Sequence, residues 1–216
     1  MTTANLSLTH IVRPSSLSQK APLLLLLHGY GSDENDLFSF ASELPEEFLI
    51  VSAKAPYPLQ LYGNAWYAIN FDGDGGKFND TNQAIESREL ILKFIEELIQ
   101  AYPIDENNIN LLGFSQGAIL SYALSLTYPE KIKRVVALSG YIDPEMISGN
   151  PEDKNTENLK IYASHGSLDQ VIPVSWARKN KDYLTSFGVN FVYEEFPVGH
   201  GVSPQNFFNL KRWLNE

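Results

Sequence analysis

Five consecutive leucines, Leu23 to Leu27, place the first limit on what this chain can fold into. With Pro22 and His28 they form a continuous apolar run that stops at Gly29. The run is the longest of its kind here and far short of the ~20 apolar residues that cross a bilayer. An apolar run bounded by a turn signal, with no alternating polar residue, reads as a strand buried on both faces. Such strands belong to largely parallel sheets covered by helices on either side.

The rest of the chain repeats that logic. Leu6 to Val12 alternates and reads as an edge strand. Phe48 to Ala53, Asn108 to Leu112, Val135 to Ser139, Leu159 to Ala163 and Asn190 to Phe196 read as further strands. Helices are expected over Asp33 to Leu44, Asn82 to Tyr102, Gln116 to Leu126, Val174 to Phe187 and Gln205 to Leu214. The clearest is the second, where Ile85, Leu90, Ile91, Phe94, Ile95, Leu98 and Ile99 keep a helical stripe before Pro103. Strands alternating with helices give an α/β fold with a mostly parallel central sheet and helices on both faces. Two segments stand outside the pattern: Lys54 to Thr81, rich in Gly, Pro and aromatics, and the polar stretch Tyr141 to Asn158. With no repeat or linker, residues 1–216 read as a single domain.

Composition removes several classes of function. A formal net charge of -10 offers no basic surface for nucleic acid or anionic lipid. The chain has no cysteine, so disulfides, a thiolate nucleophile and thiolate metal sites are excluded. The N-terminal stretch lacks both a basic and an apolar region, so no secretory signal is visible. The expectation is a cytoplasmic protein without stable membrane insertion. Asp72-Gly73-Asp74-Gly75-Gly76-Lys77 begins like a calcium loop but lacks its remaining ligands and its closing Glu, and it is no dinucleotide fingerprint either. No metal site is expected.

Chemistry gathers at Gly113-Phe114-Ser115-Gln116-Gly117, a Gly-x-Ser-x-Gly elbow between an expected strand and an expected helix. Such a turn raises the serine hydroxyl clear of the sheet on a strained backbone. A hydroxyl at neutral pH needs a general base. His10 sits in the edge strand, while His28 and His165 each end an apolar run before Gly and read as structural. His200, in Pro197-Val-Gly-His-Gly201 after the last strand, is the base by position. Asp169, in the loop following the Leu159 to Ala163 strand, is the acid that would hold His200, favoured over Asp153 and Asp182. The chain order Ser, Asp, His is that of α/β-hydrolases. His28-Gly29-Tyr30-Gly31 follows the leucine run as an oxyanion loop would, so the backbone N–H groups of Tyr30 and Gln116 are expected to meet the developing oxyanion.

With those residues in place, the chain resembles the carboxylesterase and acyl-protein thioesterase (phospholipase/carboxylesterase) family of α/β-hydrolases. The resemblance runs from about Ala21 to the C-terminus. It is carried by Leu27-His-Gly-Tyr-Gly31, Ala65-Trp-Tyr67, Leu112-Gly-Phe-Ser-Gln-Gly117, Ala137-Leu-Ser-Gly140, His165-Gly166 with Asp169 and Ile172-Pro173, and His200. It implies a compact hydrolase without a large cap domain, a Ser-Asp-His triad, no cofactor and frequent dimerisation, here a homodimer. Many members have Leu where Tyr30 stands and a further Gly where Ala118 stands.

The expected substrate is a small-molecule or lipid-like acyl ester of short to medium chain, because too few residues remain for a lid domain. Trp66, Tyr62, Tyr67, Phe71 and Tyr141 are the candidate substrate contacts, aromatics in segments that can lie over the sheet edge. A peptidase or an acyltransferase could run on the same triad, and a non-catalytic module could share the fold. Because an imidazole must be neutral to accept a proton, activity should fall as pH drops through the ordinary histidine range, about 6.5. A rate that stays flat from about pH 5 to 8 would speak against a histidine base.

Overall fold

The computed structural model describes residues 4–71, 77–150 and 153–216. Seven strands form one sheet in the order β1-β3-β2-β8-β9-β10-β11. They are β1 (His10–Arg13), β2 (Ala21–Leu27), β3 (Leu49–Ala53), β8 (Ile104–Phe114), β9 (Arg134–Leu138), β10 (Lys160–Gly166) and β11 (Asn190–Phe196). Only β1 runs antiparallel, against β3; the other pairs are parallel. Two small antiparallel ribbons, β4 (Tyr57–Pro58) with β5 (Asn64–Ala65) and β6 (Ile69–Phe71) with β7 (Lys77–Asn79), lie outside it.

The leucine run is β2, and side-chain alternation explains why all five leucines are apolar. Leu23, Leu25 and Leu27 point into one cluster with residues of α1 (Thr81–Ala101), α2 (Gln116–Thr127) and α3 (Val174–Ser186). Leu24 and Leu26 point into another, with Leu210 and Leu214 of α4 (Pro204–Leu214). A strand with helices over both faces has no solvent side, so period-two alternation of polarity disappears. This is an α/β-hydrolase architecture with a mostly parallel sheet, and no large cap domain occurs among the described residues.

Two expectations are corrected. The helix expected over Asp33 to Leu44 is only a short 3-10 turn, Leu37–Phe40. Side chains there compete with the helical ladder: Asp33 Oδ1 accepts from the Asn35 N–H, and the Ser39 hydroxyl donates to Asp36 O. Arg13 then takes the carbonyls of Ala41, Leu44, Pro45 and Phe48 with its guanidinium, fixing a non-helical path into β3. The edge strand is also shorter and later than expected, beginning at His10 rather than Leu6. Its neighbour Ser7 instead donates its N–H to Glu97 at 2.7 Å. Asp72 to Gly76, the calcium-loop-like stretch, lies outside the described residues.

Candidate active site

Ser115 stands between β8 and α2 with φ 54° and ψ -117°, a backbone conformation that L-residues avoid. Its N–H donates to Leu138 O on β9 at 2.9 Å, which helps hold the turn against the sheet. The flanking glycines are required sterically. A Cβ on Gly113 would lie 2.3 Å from Gly117 O, and one on Gly117 would lie 1.9 Å from Leu27 O. The elbow thus wedges itself between its own helix and the end of β2.

Asp169 lies in the loop after β10 and His200 in the loop between β11 and α4, so all three side chains come from the C-terminal edge of one sheet. His200 Nε2 is 3.0 Å from Ser115 Oγ, and His200 Nδ1 is 2.7 Å from Asp169 Oδ2. The other carboxylate oxygen, Oδ1, accepts the N–H groups of Val171 at 2.8 Å and Ile172 at 3.0 Å. Burial by itself would raise the Asp169 carboxyl. The His200 hydrogen bond and the two backbone donors outweigh it and hold the group below the ordinary aspartate value. An ionised Asp169 requires the proton on His200 Nδ1, which leaves a lone pair on Nε2 facing the serine hydroxyl.

His28 is engaged otherwise. Its Nδ1–H donates to Gly29 O at 2.7 Å and its Nε2 accepts the Ala55 N–H at 3.0 Å, while burial pushes its pKa down. The ring is a neutral bracket joining the end of β2 to the segment after β3.

The comparisons with known proteins agree with this arrangement of elements. The family model for phospholipase/carboxylesterase matches residues 8–216. The chain belongs to that family. Acyl-protein thioesterase 1 of Kluyveromyces lactis is 30% identical over 194 residues, covering 82% of each chain. Acyl-protein thioesterase 1 of Cryptococcus neoformans var. neoformans is 29% identical over 219 residues, 89% of this chain and 91% of that one. In fold, a Bacillus cereus carboxylesterase superposes with a TM-score of 0.84 at 22% identity over 96% of this chain and 93% of that one. This protein is a carboxylic ester hydrolase of the carboxylesterase and acyl-protein thioesterase type.

Within that family frame, Gln116 has a physical reason to follow the serine. Its Oε1 accepts the Trp66 N–H at 3.0 Å and its Nε2 donates to Tyr67 O at 2.8 Å. One side chain therefore pins the segment Lys54 to Thr81 to the elbow at Trp66 and Tyr67. Gln116 is the first residue of α2, so its backbone N–H has no partner within the helix. Tyr30, whose N–H makes no hydrogen bond among the described residues, lines the same cavity as Ser115 and Gln116.

That cavity is about 1100 Å³, and Ser115 and His200 are among the residues that line it. Tyr67 and Tyr141 line it, as do Ile119, Ile142, Ile172 and Trp176. Two of the other sequence-derived aromatics are placed elsewhere. Trp66 is fully buried and donates its indole N–H to His28 O at 2.9 Å, behind the cavity rather than in it. Tyr62 is 77% exposed and does not border the cavity. The side chain of Phe71 lies outside the described residues. Sequence reasoning missed Trp176, which is 43% exposed and meets Tyr141 edge-on with ring centroids 5.1 Å apart. The available signal was its register: the buried stripe of α3 runs Ala177, Asn180, Leu184, and Trp176 falls beside it. An apolar ring off the buried stripe faces something other than the core.

No helix among the described residues is long and apolar enough to cross a membrane.

Proposed function

We propose that the enzyme cleaves acyl esters and thioesters by two-step acyl transfer, with Ser115 as nucleophile, His200 as base and Asp169 as the acid that orients it. The observation that carries this reading is the continuous relay of 3.0 Å and 2.7 Å from Ser115 Oγ through His200 to Asp169, opening onto a cavity. Ser115 Oγ adds to the acyl carbonyl as His200 Nε2 takes its proton. The N–H groups of Tyr30 and Gln116 receive the oxyanion, and His200 returns the proton to the departing alcohol or thiol. Water, deprotonated by His200, then adds to the acyl-serine and releases the acid.

A fluorophosphonate probe tests the nucleophile directly. Wild type should label stoichiometrically and Ser115→Ala not at all; equal labelling of both would end the proposal.

The apolar part of the cavity, Ile119, Ile142, Ile172 and Trp176, suits the hydrocarbon of a short or medium acyl group. The name of the thioesterase relatives supports including thioesters among the substrates. Trp176→Ala should raise KM for hexanoyl and octanoyl p-nitrophenyl esters roughly 3–10-fold while acetyl ester hydrolysis changes little, as expected for loss of part of an apolar wall. An equal loss on all chain lengths would place Trp176 outside the acyl wall.

A further inference from the structure

His165 is a buried titratable side chain with no part in the acyl transfer described above. It sits near the C-terminal end of β10, four residues before Asp169, and its side chain is fully shielded from solvent. Its Nε2 lies 2.9 Å from Ile172 O. A backbone carbonyl only accepts, so Nε2 carries a proton. Nδ1 is buried with no partner. The carbonyl partner therefore places the ring proton on Nε2 and leaves Nδ1 without one to satisfy.

The same Nε2 lies 3.3 Å from Asp169 Oδ2, the oxygen that accepts His200 Nδ1–H. Ile172, whose carbonyl His165 holds, also gives its N–H to Asp169 Oδ1. One ring thus touches both the acid and the far end of the loop that carries it. A histidine serving only to satisfy the backbone would need Ile172 O alone.

We propose that His165 is a positioning residue for the acid of the relay: its Nε2–H, bonded to Ile172 O and lying 3.3 Å from Asp169 Oδ2, holds the carboxylate so that Oδ2 meets His200 Nδ1–H. This rests on the triad reading above. The ionisable groups around the ring are Asp169 and His200 in the two loops, and Glu195 opposite it in register on β11. Glu195 is itself paired with Arg178 of α3 at 2.7 Å.

The test compares His165→Leu, which removes the donor, with His165→Gln, whose amide N–H can reach where Nε2 stood. His165→Leu should lower kcat roughly tenfold, the scale of a lost hydrogen bond to a charged group, with KM nearly unchanged. A carboxylate stripped of a donor is more basic and pairs more strongly with the His200 imidazolium. The acid limb of kcat/KM should therefore move to higher pH in His165→Leu, and His165→Gln should restore both kcat and the limb. If His165→Leu does not fold, His165→Asn, too short to span both acceptors, takes its place in the comparison with Gln.

Unchanged kcat in the Leu variant, equal losses in the Leu and Gln variants, or a fixed acid limb would each overturn the proposal. Ser115→Ala in the same assay separates the two levels. Retained activity there removes the triad reading itself. Lost activity there, with His165→Leu unaffected, removes only the role of His165.

Discussion

Asp169→Asn should lower kcat on a short p-nitrophenyl ester by roughly 10³–10⁴-fold while the protein stays folded. The size follows from the tautomer rather than from lost charge alone. Asp169 Oδ1 accepts two backbone N–H groups, from Val171 and Ile172. An asparagine in this position keeps its carbonyl oxygen toward those donors, because an amide NH2 there would face two N–H groups. Its NH2 must then face His200 Nδ1, now 2.7 Å from Oδ2. Nδ1 can meet an NH2 only as an acceptor, so the imidazole proton moves to Nε2 and points at Ser115 Oγ. A ring in that state cannot take the serine proton. The NH2 also sits against the Nε2–H of His165, so a modest fall in the thermal midpoint is expected as well. The measurement is kcat under excess substrate beside a melting curve. A kcat within tenfold of wild type, in a folded variant, would mean that His200 does not depend on Asp169 for its proton.

The parts of this molecule that were legible in the sequence are those where one local rule dominates. Leu23 to Leu27 could be read as a doubly buried strand because burial on both faces removes every polar position. Ser115, Asp169 and His200 could be singled out because each follows an expected strand, and parallel strands deliver such loops to one edge. The elements misread are those where side chains bond to nearby backbone. Asp33, Ser39 and the distant Arg13 turn an amphipathic-looking segment into a 3-10 turn, and no periodicity reports an arginine arriving from another strand. The ribbons inside 54–80 are two or three residues long, too short to show a pattern.

The aromatic side chains illustrate the remaining limit. Trp66 and Trp176 are chemically alike, and both lie near expected functional segments. Only tertiary structure sends one beneath the segment that follows β2, bonded to His28 O, and the other to the cavity beside Tyr141. His165 likewise gave only its strand-end position. Its contact with Asp169 Oδ2 depends on how the 166–172 loop folds back, which the apolar run and the following Gly166 do not encode.

The elbow supplies the second large effect. Gly117→Ala places a Cβ 1.9 Å from Leu27 O and 2.8 Å from His28 O, both backbone atoms that no rotamer change can move aside. Leu27 is the last residue of β2, paired in register with Gly113 across from it. Relief of the clash therefore requires α2 to lift from the sheet or the end of β2 to shift. Either movement displaces Ser115 from His200 and Gly29 to Gly31 from their place beside the serine. Overpacking against rigid backbone typically costs about 1–3 kcal/mol and occasionally more, and this contact belongs at the upper end. Gly117→Ala should accordingly lose several degrees of thermal midpoint and nearly all fluorophosphonate labelling. Gly201→Ala is the matched control, since nothing lies within 4 Å of its added Cβ. Its stability should stay within about 0.5 kcal/mol of wild type. If Gly117→Ala melted and labelled like wild type, the helix would be free to slide on the sheet, and the strained serine could not owe its position to that contact.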